Sequence, residues 1–473
     1  MKIGIVASEA VPYAKTGGLA DVVGTLFKVF GRMGNEVFLF LPFYKTIKNI
    51  GNVEKAGEIS IPIGSHMVKG NILLEKKENG TVIFIEQDYY FGRDELYGTK
   101  EGDYPDNGER FGFFDIAVLE AIKELKLDLD VIHANDWQTG LIPLFIKDKE
   151  WKIGTLFTIH NLGYQGNFEQ GIIDVLHIDR KYFTINGFEF YGDVSFLKSG
   201  IVFSDYISTV SPSYAKEIMT PQYGMGMDGI LRARKNRLVG ILNGIDYEAW
   251  NPEADNLIYE NYSVNDLSGK EINKRKLAEE LEFKVEDKPL YGMVSRLAGQ
   301  KGVDILTEAL KEFLKEDVRV VILGTGEKKL EEKLLNLQKE FPEKIRPLIK
   351  FDNTLAHKIY AANDFFMMPS KYEPCGLGQL IALKYGSVPV VRATGGLKDT
   401  IDNYNEYTHC GNGFSFEEYS EEELVNTLKR SLSIYKDQKT FKAIRQTGML
   451  CDFSWDRSAM KYLELFEKIH SKF

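Results

Sequence analysis

A chain of 473 residues exceeds the ~250–300 at which a single hydrophobic core stops growing, so two domains are expected. Its 44% apolar and 27% charged residues are those of an ordinary soluble globular protein, and a net charge of −10 excludes broad nucleic-acid or acidic-membrane binding, which needs a basic face. The three cysteines, Cys375, Cys410 and Cys451, have no metal-type spacing and form no disulfide framework, which places the protein in the reducing cytoplasm.

The N-terminus runs at once into an apolar strand, Ile3–Ala7, without the ordered regions of a signal peptide. No stretch approaches the ~20 apolar residues of a membrane span. Lys15-Thr16-Gly17-Gly18-Leu19-Ala20-Asp21 follows and opens an amphipathic helix. Further strands are expected at Glu36–Pro42, Val82–Glu86, Val131–Ala134, Thr155–Ile159 and Tyr206–Val210. Turn formers at Asn243–Asp246 and Trp250–Pro252, then a polar stretch to Gly269, mark a domain boundary. The pattern begins again with strands at Pro289–Ser295, Val318–Gly324, Pro347–Phe351, Phe365–Pro369 and Val388–Val391. Glu327–Glu343 reads as a solvated helix face and Trp455–Ile469 as a final helix. Strands alternating with helices predict the α/β class, with parallel sheets covered on both faces.

The six-residue pattern Thr-Gly-Gly-Leu-x-Asp occurs twice, at Thr16–Asp21 and Thr394–Asp399, each after a strand and before a helix. A glycine pair there lets backbone N–H groups and a helix N-terminus, carrying roughly half a positive charge, approach an anion. Lys15 and Arg392 precede the two copies and strengthen the anion reading. Two such loops predict two similar domains facing one ligand across a cleft.

Ligands of open parallel sheets bind beyond the carboxyl ends of the strands, and the distinctive residues gather there. Arg296 and Lys301 suit a diphosphate, the first as a bidentate fork and the second as a point charge. Gly324-Thr325-Gly326 offers backbone contact to a nucleotide, but the third glycine of a dinucleotide fingerprint falls on Lys329, which disfavours a nicotinamide dehydrogenase. His133 and Asp136 end one strand; His160 and Asn161 end its neighbour. That polar cluster fits a hydroxyl-rich substrate. Glu373 can accept paired hydrogen bonds from sugar hydroxyls, whereas Cys375 has no nearby base and is read as a packing or backbone-contact residue. Asp128-Leu129-Asp130 precedes a strand, so it is read as a solvated turn; no metal or other cofactor is expected.

These motifs together resemble the bacterial glycogen synthases and plant starch synthases, which use ADP-glucose. The matching segments are Lys15–Asp21, His133–Thr139, Thr158–Gly166, Tyr223–Gly229, Asn243–Pro252, Ser295–Gly302, Glu373–Gln379 and Thr394–Asp399. The resemblance implies two Rossmann-like doubly wound domains, 1–242 on the acceptor and glucose side and 243–455 on the nucleotide-sugar side. A helix over 456–473 would cross back to the first. It further implies glucose transfer from ADP-glucose, the donor substrate, to the non-reducing end of an α-1,4-glucan such as glycogen, with retention. Related transferases that prefer UDP-glucose, and inactive glucan-binding proteins, are the alternatives.

Carried over by position, Arg296 and Lys301 would neutralise the diphosphate, helped by Lys15, Gly18 and the helix start at Thr394, Gly395 and Gly396. Glu373, with the backbone of Cys375, Gly376 and Leu377, would hold the glucosyl hydroxyls. Asp136, His160 and Asn161 would line the glucose pocket, Asn243 would touch the sugar, and Phe351 would stack on adenine. Asp21 would support the acceptor side. The chain departs from the family at Asn135, Gln138 and Gly378, and Ile381 stands where many relatives in the wider superfamily have a second Glu, leaving the ribose contact unassigned. No carboxylate stands out as a β-face nucleophile, so front-face transfer is expected, with cleft closure hinged near Asn243–Pro252.

Overall fold

In the computed structural model, which describes residues 1–47, 52–285 and 287–472, strands and helices alternate along the chain. They gather into two units, residues 1–242 with 455–473, and residues 243–454.

The first unit is built on a nine-stranded sheet. Its order is Leu238–Gly240, Tyr206–Thr209, Gly154–Ile159, Val131–Asn135, Lys2–Val6, Glu36–Pro42, Gly80–Glu86, His66–Lys77 and Glu54–Ile63. All neighbours run parallel except the last two strands, which form an antiparallel extension. That hairpin is absent from the sequence reading, which looked for continuous apolar runs. In Glu54–Ile63 only Ile59, Ile61 and Ile63 turn inward, the alternation of a strand with one solvated face. Strand order reverses beside Lys2–Val6, with Glu36–Pro42 on one side and Val131–Asn135 on the other.

The helix Trp455–His470 belongs to this unit. Its apolar stripe, Tyr462, Phe466 and Ile469, recurs at helical spacing and is buried. Phe30 meets Phe466 edge-on at 5.5 Å, and Arg32 pairs with Asp456 at the surface. A Cβ on Gly154 would stand 2.3 Å from Ile469 Cγ2, so glycine is what lets this helix lie against the sheet.

The second unit holds a six-stranded, fully parallel sheet in the order Ile345–Leu348, Arg319–Leu323, Leu290–Val294, Phe365–Met368, Val388–Arg392 and Phe414–Phe416. Numbered by chain position this is 3-2-1-4-5-6, the Rossmann order, with the reversal between Leu290–Val294 and Phe365–Met368. Period-2 side chains supply both faces. Tyr291, Met293, Val320 and Ile322 enter one core with Leu306, Leu310 and Phe313, while Leu290, Val321 and Leu323 enter another with Leu355 and Ile359. Burying each such side chain contributes about 1.5–3 kcal/mol. The polar segment after Asn243 is fastened to this unit. Trp250 stacks on His357 at 3.9 Å, and Asp255 accepts from His357 Nδ1 at 2.7 Å and Tyr385 Oη at 2.6 Å.

Candidate functional sites

In the second unit the sequence-predicted residues converge on the strand-order reversal. Lys301 ends a short helical turn after Leu290–Val294, and Gly302 follows it in the left-handed region at φ 74°. A Cβ on Gly302 would lie 1.9 Å from the Pro369 carbonyl oxygen, so only glycine seats this turn against the end of the neighbouring strand. The result is a pair joined over 72 residues of chain. Lys301 Nζ donates to both Glu373 oxygens, at 2.9 and 2.8 Å, and Ser370 Oγ donates to Glu373 at 3.0 Å. Glu373 is buried and Lys301 about a quarter exposed, so a charged ammonium with free hydrogen-bonding capacity stands at the mouth. Arg296 is exposed beside it, donating to Gln300 Oε1 at 3.2 Å.

The surrounding loops are held by close backbone approach. Gly324 abuts the Ser295 carbonyl, where a Cβ would come within 1.9 Å, and Leu297 N–H bonds Thr325 at 2.9 Å. Gly376 turns at φ 74° before the helix Gly378–Lys384, and it and Leu377, which immediately precedes that helix, are half-buried. Gly378, one of the family departures, has a physical reason. A Cβ there would stand 3.0 Å from Phe366 Cε1 and 3.2 Å from Tyr360 Oη, so a larger side chain would require these rings to shift by a few tenths of an ångström. Burial pushes the Cys375 thiol up to about 12, with an Asn243 backbone hydrogen bond opposing it, so the side chain is an inert thiol at neutral pH. Asn243 is buried, and its Oδ1 is an acceptor with no hydrogen-bond partner among the described residues. Phe351 lies beyond its strand, which ends at Leu348, and is 89% exposed.

The second Gly-Gly copy differs from the first. Gly395 and Gly396 press against the Glu373 and Cys375 carbonyls, where Cβ atoms would come within 1.8 and 2.0 Å. The Gly396 N–H bonds the Glu373 carbonyl at 3.1 Å, and those of Leu397 and Lys398 both bond Thr394. The Gly396 amide therefore holds the Glu373 loop, and the Thr394 N–H bonds the Arg392 carbonyl at 2.9 Å, so this turn is drawn into the protein. Arg392 is likewise structural: its buried guanidinium donates to the Glu417 and Lys371 carbonyls at 2.9 and 2.6 Å.

In the first unit the residues again stand at the order reversal. Gly17 caps the helix Gly18–Arg32 in extended backbone with no side-chain cap, and nothing lies within 4 Å of where its Cβ would be. Gly18, the first helical residue, is exposed, so the helix start is accessible to an anion there, while Leu19 and Ala20 are buried. Lys15 pairs with Asp21 at 2.7 Å, both half-exposed, a contact worth at most about 1 kcal/mol and readily exchanged for a phosphate.

Asp136 adopts φ 58° and ψ 179°, a costly backbone for any residue with a side chain. Its Oδ1 accepts the His160 N–H at 2.8 Å, and the Asn161 backbone adds a second hydrogen bond. Burial, over the opposing hydrogen bonds, raises its carboxyl to about 7, with the Glu9 charge adding to the rise. Burial also lowers His160 to about 3, so that ring is neutral. Asn135 Nδ2 donates to the Val6 and His133 carbonyls, which directs its Oδ1 at His160 Nε2, 2.9 Å away. The Nε2 proton is thereby assigned and Nδ1 is an acceptor. Asn161 Oδ1 accepts from Gly163 N at 2.9 Å, leaving its amide as a donor. His133 does not join this cluster: it is fully buried, bonded to Thr158 Oγ1 at 2.7 Å and packed on Tyr462.

Asp136→Asn has an expected sign. The folded carboxyl holds its proton up to about pH 7, against an ordinary value near 3.8, so its ionisation opposes folding increasingly as pH rises through that interval. The substitution should stabilise the protein by about 1–3 kcal/mol at pH 8 and by almost nothing at pH 4, read as urea midpoints, while lowering activity.

Asp128 and Asp130 lie at the opposite end of the sheet, Asp130 accepting the Lys2 N–H at 2.8 Å. Among the described residues no group of three or more His, Cys, Asp or Glu is placed to hold a metal. A separate hollow of about 310 Å³ in the first unit, lined by Leu144, Phe145, His177 and Tyr182 among others, contains none of these site residues.

Comparison with known proteins extends this geometry. The family described as the starch synthase catalytic domain matches residues 2–233, and that described as glycosyl transferases group 1 matches residues 274–447. The chain is 45% identical over 478 residues to the glycogen synthase of Syntrophotalea carbinolica, covering 99% of each. It is 45% identical over 486 residues to that of Pseudothermotoga lettingae, again covering 99% of each. Among solved structures, the catalytic domain of starch synthase IV from Arabidopsis thaliana, bound to ADP and acarbose, superimposes with a TM-score of 0.90 at 32% identity over 99% of both chains. Sucrose-phosphate synthase from Thermosynechococcus elongatus, at 16% identity and a TM-score of 0.65 over 100% of both chains, shares the fold.

Proposed function

The chain belongs to the glycogen and starch synthase family of glycosyltransferases, and from that membership we propose that it transfers glucose from ADP-glucose to the non-reducing end of an α-1,4-glucan, with retention and release of ADP. The observation that carries the reading is the Lys301–Glu373 pair at the order reversal of a Rossmann sheet, a cation for the leaving group beside a carboxylate for the sugar. The solved relative that holds ADP and acarbose supports the same substrates.

The chemistry assigns the roles. The acceptor hydroxyl oxygen bonds the anomeric carbon as the bond from that carbon to the diphosphate breaks. The hydroxyl proton passes to the departing phosphate oxygen on the same face, so configuration is retained. Positive charge grows on the ring and negative charge on the diphosphate. Lys301 and Arg296, with Lys15 and the Gly18 amide, stabilise the latter, while the turn Thr394–Gly396 seats the Glu373 loop, and preorganised charges of this kind are worth about 3–4 kcal/mol each. Glu373 and the backbone at Cys375–Leu377 hold the glucosyl hydroxyls. Asp136, the neutral His160, Asn161 and the unsatisfied Asn243 oxygen add further sugar contacts. Gly324 lies against the nucleotide, Phe351 covers the adenine, and Asp21 serves the acceptor side. The reaction so written calls for no metal.

Equal ADP-glucose and UDP-glucose, offered with glycogen and no added metal, should give incorporation chiefly from ADP-glucose into lengthened α-1,4 chains. Preferential use of UDP-glucose would overturn the donor assignment; glucan binding without transfer from either would overturn the reaction.

A further inference from the structure

Glu9 stands just beyond the end of the strand Lys2–Val6, at the order reversal of the first unit, and is 3% exposed. No motif in the sequence marks it. A buried carboxylate is costly unless it is fully hydrogen-bonded, and this one is. One oxygen accepts the Thr16 N–H in a very short bond and the Gly17 N–H at 3.3 Å; the other accepts Thr16 Oγ1 at 2.7 Å and Tyr97 Oη at 2.5 Å. Burial, with the neighbouring Tyr44 and Glu9, raises Tyr97 well above the usual phenol range, so Tyr97 stays a donor, and Ser8 Oγ lies 2.7 Å from the same hydroxyl. Behind it the chain is fixed by Asn107, which donates to the Tyr97 carbonyl at 2.8 Å and accepts from the fully buried Arg110 at 2.6 Å.

Every bond that Glu9 makes to the glycine loop is to an N–H or O–H that precedes the helix. The loop is held from behind, while Gly18, the first helical residue, stays exposed. We infer that Glu9 is a positioning residue for the transfer reaction: by binding the Thr16 and Gly17 amides it locks the loop in the conformation that presents Lys15 and the Gly18 N–H to the donor diphosphate, and its charge couples that loop to the sugar-binding Asp136. The inference rests on the glucosyl-transfer reading for its kinetic part only. The groups acting on the Asp136 carboxyl are the His160 and Asn161 backbone N–H groups and, among the described residues, one charge, that of Glu9.

Glu9→Gln tests it, because a glutamine has one acceptor oxygen and its amide would meet donors with a donor. In the full-length protein, amide exchange at residues 16–20 should quicken about tenfold or more while exchange in the sheet is unchanged. The kcat/KM for ADP-glucose should fall about 10–100-fold, and the acid limb of its pH profile should move to lower pH as the Asp136 carboxyl loses its charged neighbour. Thr16→Val, which removes a single donor, should move exchange and kcat/KM the same way by less. Unchanged exchange at 16–20, or an unmoved acid limb whatever the loss of activity, overturns the inference. If the parent protein transferred no glucose, the transfer reading would fail and the exchange result would still decide whether Glu9 holds the loop.

Discussion

Lys301→Ala should reduce kcat/KM for ADP-glucose by about 10²–10³-fold, the loss expected when one preorganised charge on a leaving group is deleted. The ammonium stands over Glu373 at 2.8–2.9 Å with about a quarter of its side chain exposed, so it is held in place before any phosphate arrives. Most of the loss should appear in kcat, because the charge it meets grows as the bond to phosphate breaks. Stability should fall less than the 3–5 kcal/mol typical of a broken buried pair, since Ser370 still donates to Glu373 and water reaches the mouth. Lys301→Arg should restore little: the planar fork cannot take the place of a point charge packed behind Gly302. Steady-state kinetics beside thermal unfolding separate these effects.

Glu373→Gln should produce changes of opposite sign in two measurements. Transfer should fall about 10²–10³-fold, because the amide cannot offer two acceptor oxygens to the sugar hydroxyls. Affinity for ADP alone should hold or rise, by up to about tenfold, since Lys301 no longer shares its charge with a carboxylate. Calorimetric titration with ADP reads the second effect directly. Weaker ADP binding in this variant would mean that Glu373 chiefly orients Lys301, and the sugar-holding role would then be wrong.

Both effects depend on geometry that local sequence expresses only in part. The parallel strands were legible because strands covered on both faces read as unbroken apolar runs, as in Val388–Arg392. The hairpin Glu54–Lys77 was not, because in Glu54–Ile63 the buried Ile59, Ile61 and Ile63 alternate with exposed Ser60 and Pro62, and charged residues end its second strand. Lys301 and Glu373 were each visible as strand-end residues. Their union was not, since it depends on sheet order and on one left-handed glycine against the Pro369 carbonyl. The two Thr-Gly-Gly-Leu-x-Asp copies looked alike, yet nothing stands within 4 Å of the Gly17 Cβ position, while the equivalent Gly395 presses on the Glu373 carbonyl. Short motifs encode a permitted backbone, and tertiary packing decides whether its donors are used inside the protein or left for a ligand. His133 and Arg392 show the same limit, each carrying functional chemistry that the fold turns inward.

The central claim is that the order-reversal cations, with no metal, drive departure of ADP from ADP-glucose. Incorporation of glucose from ADP-glucose into glycogen, measured with a chelator present for the parent protein and Lys301→Ala side by side, tests it most directly. The account predicts full parental transfer unaffected by the chelator and a loss of about 10²-fold or more in the variant. Parental transfer abolished by the chelator, or a variant within about twofold of the parent, would contradict it.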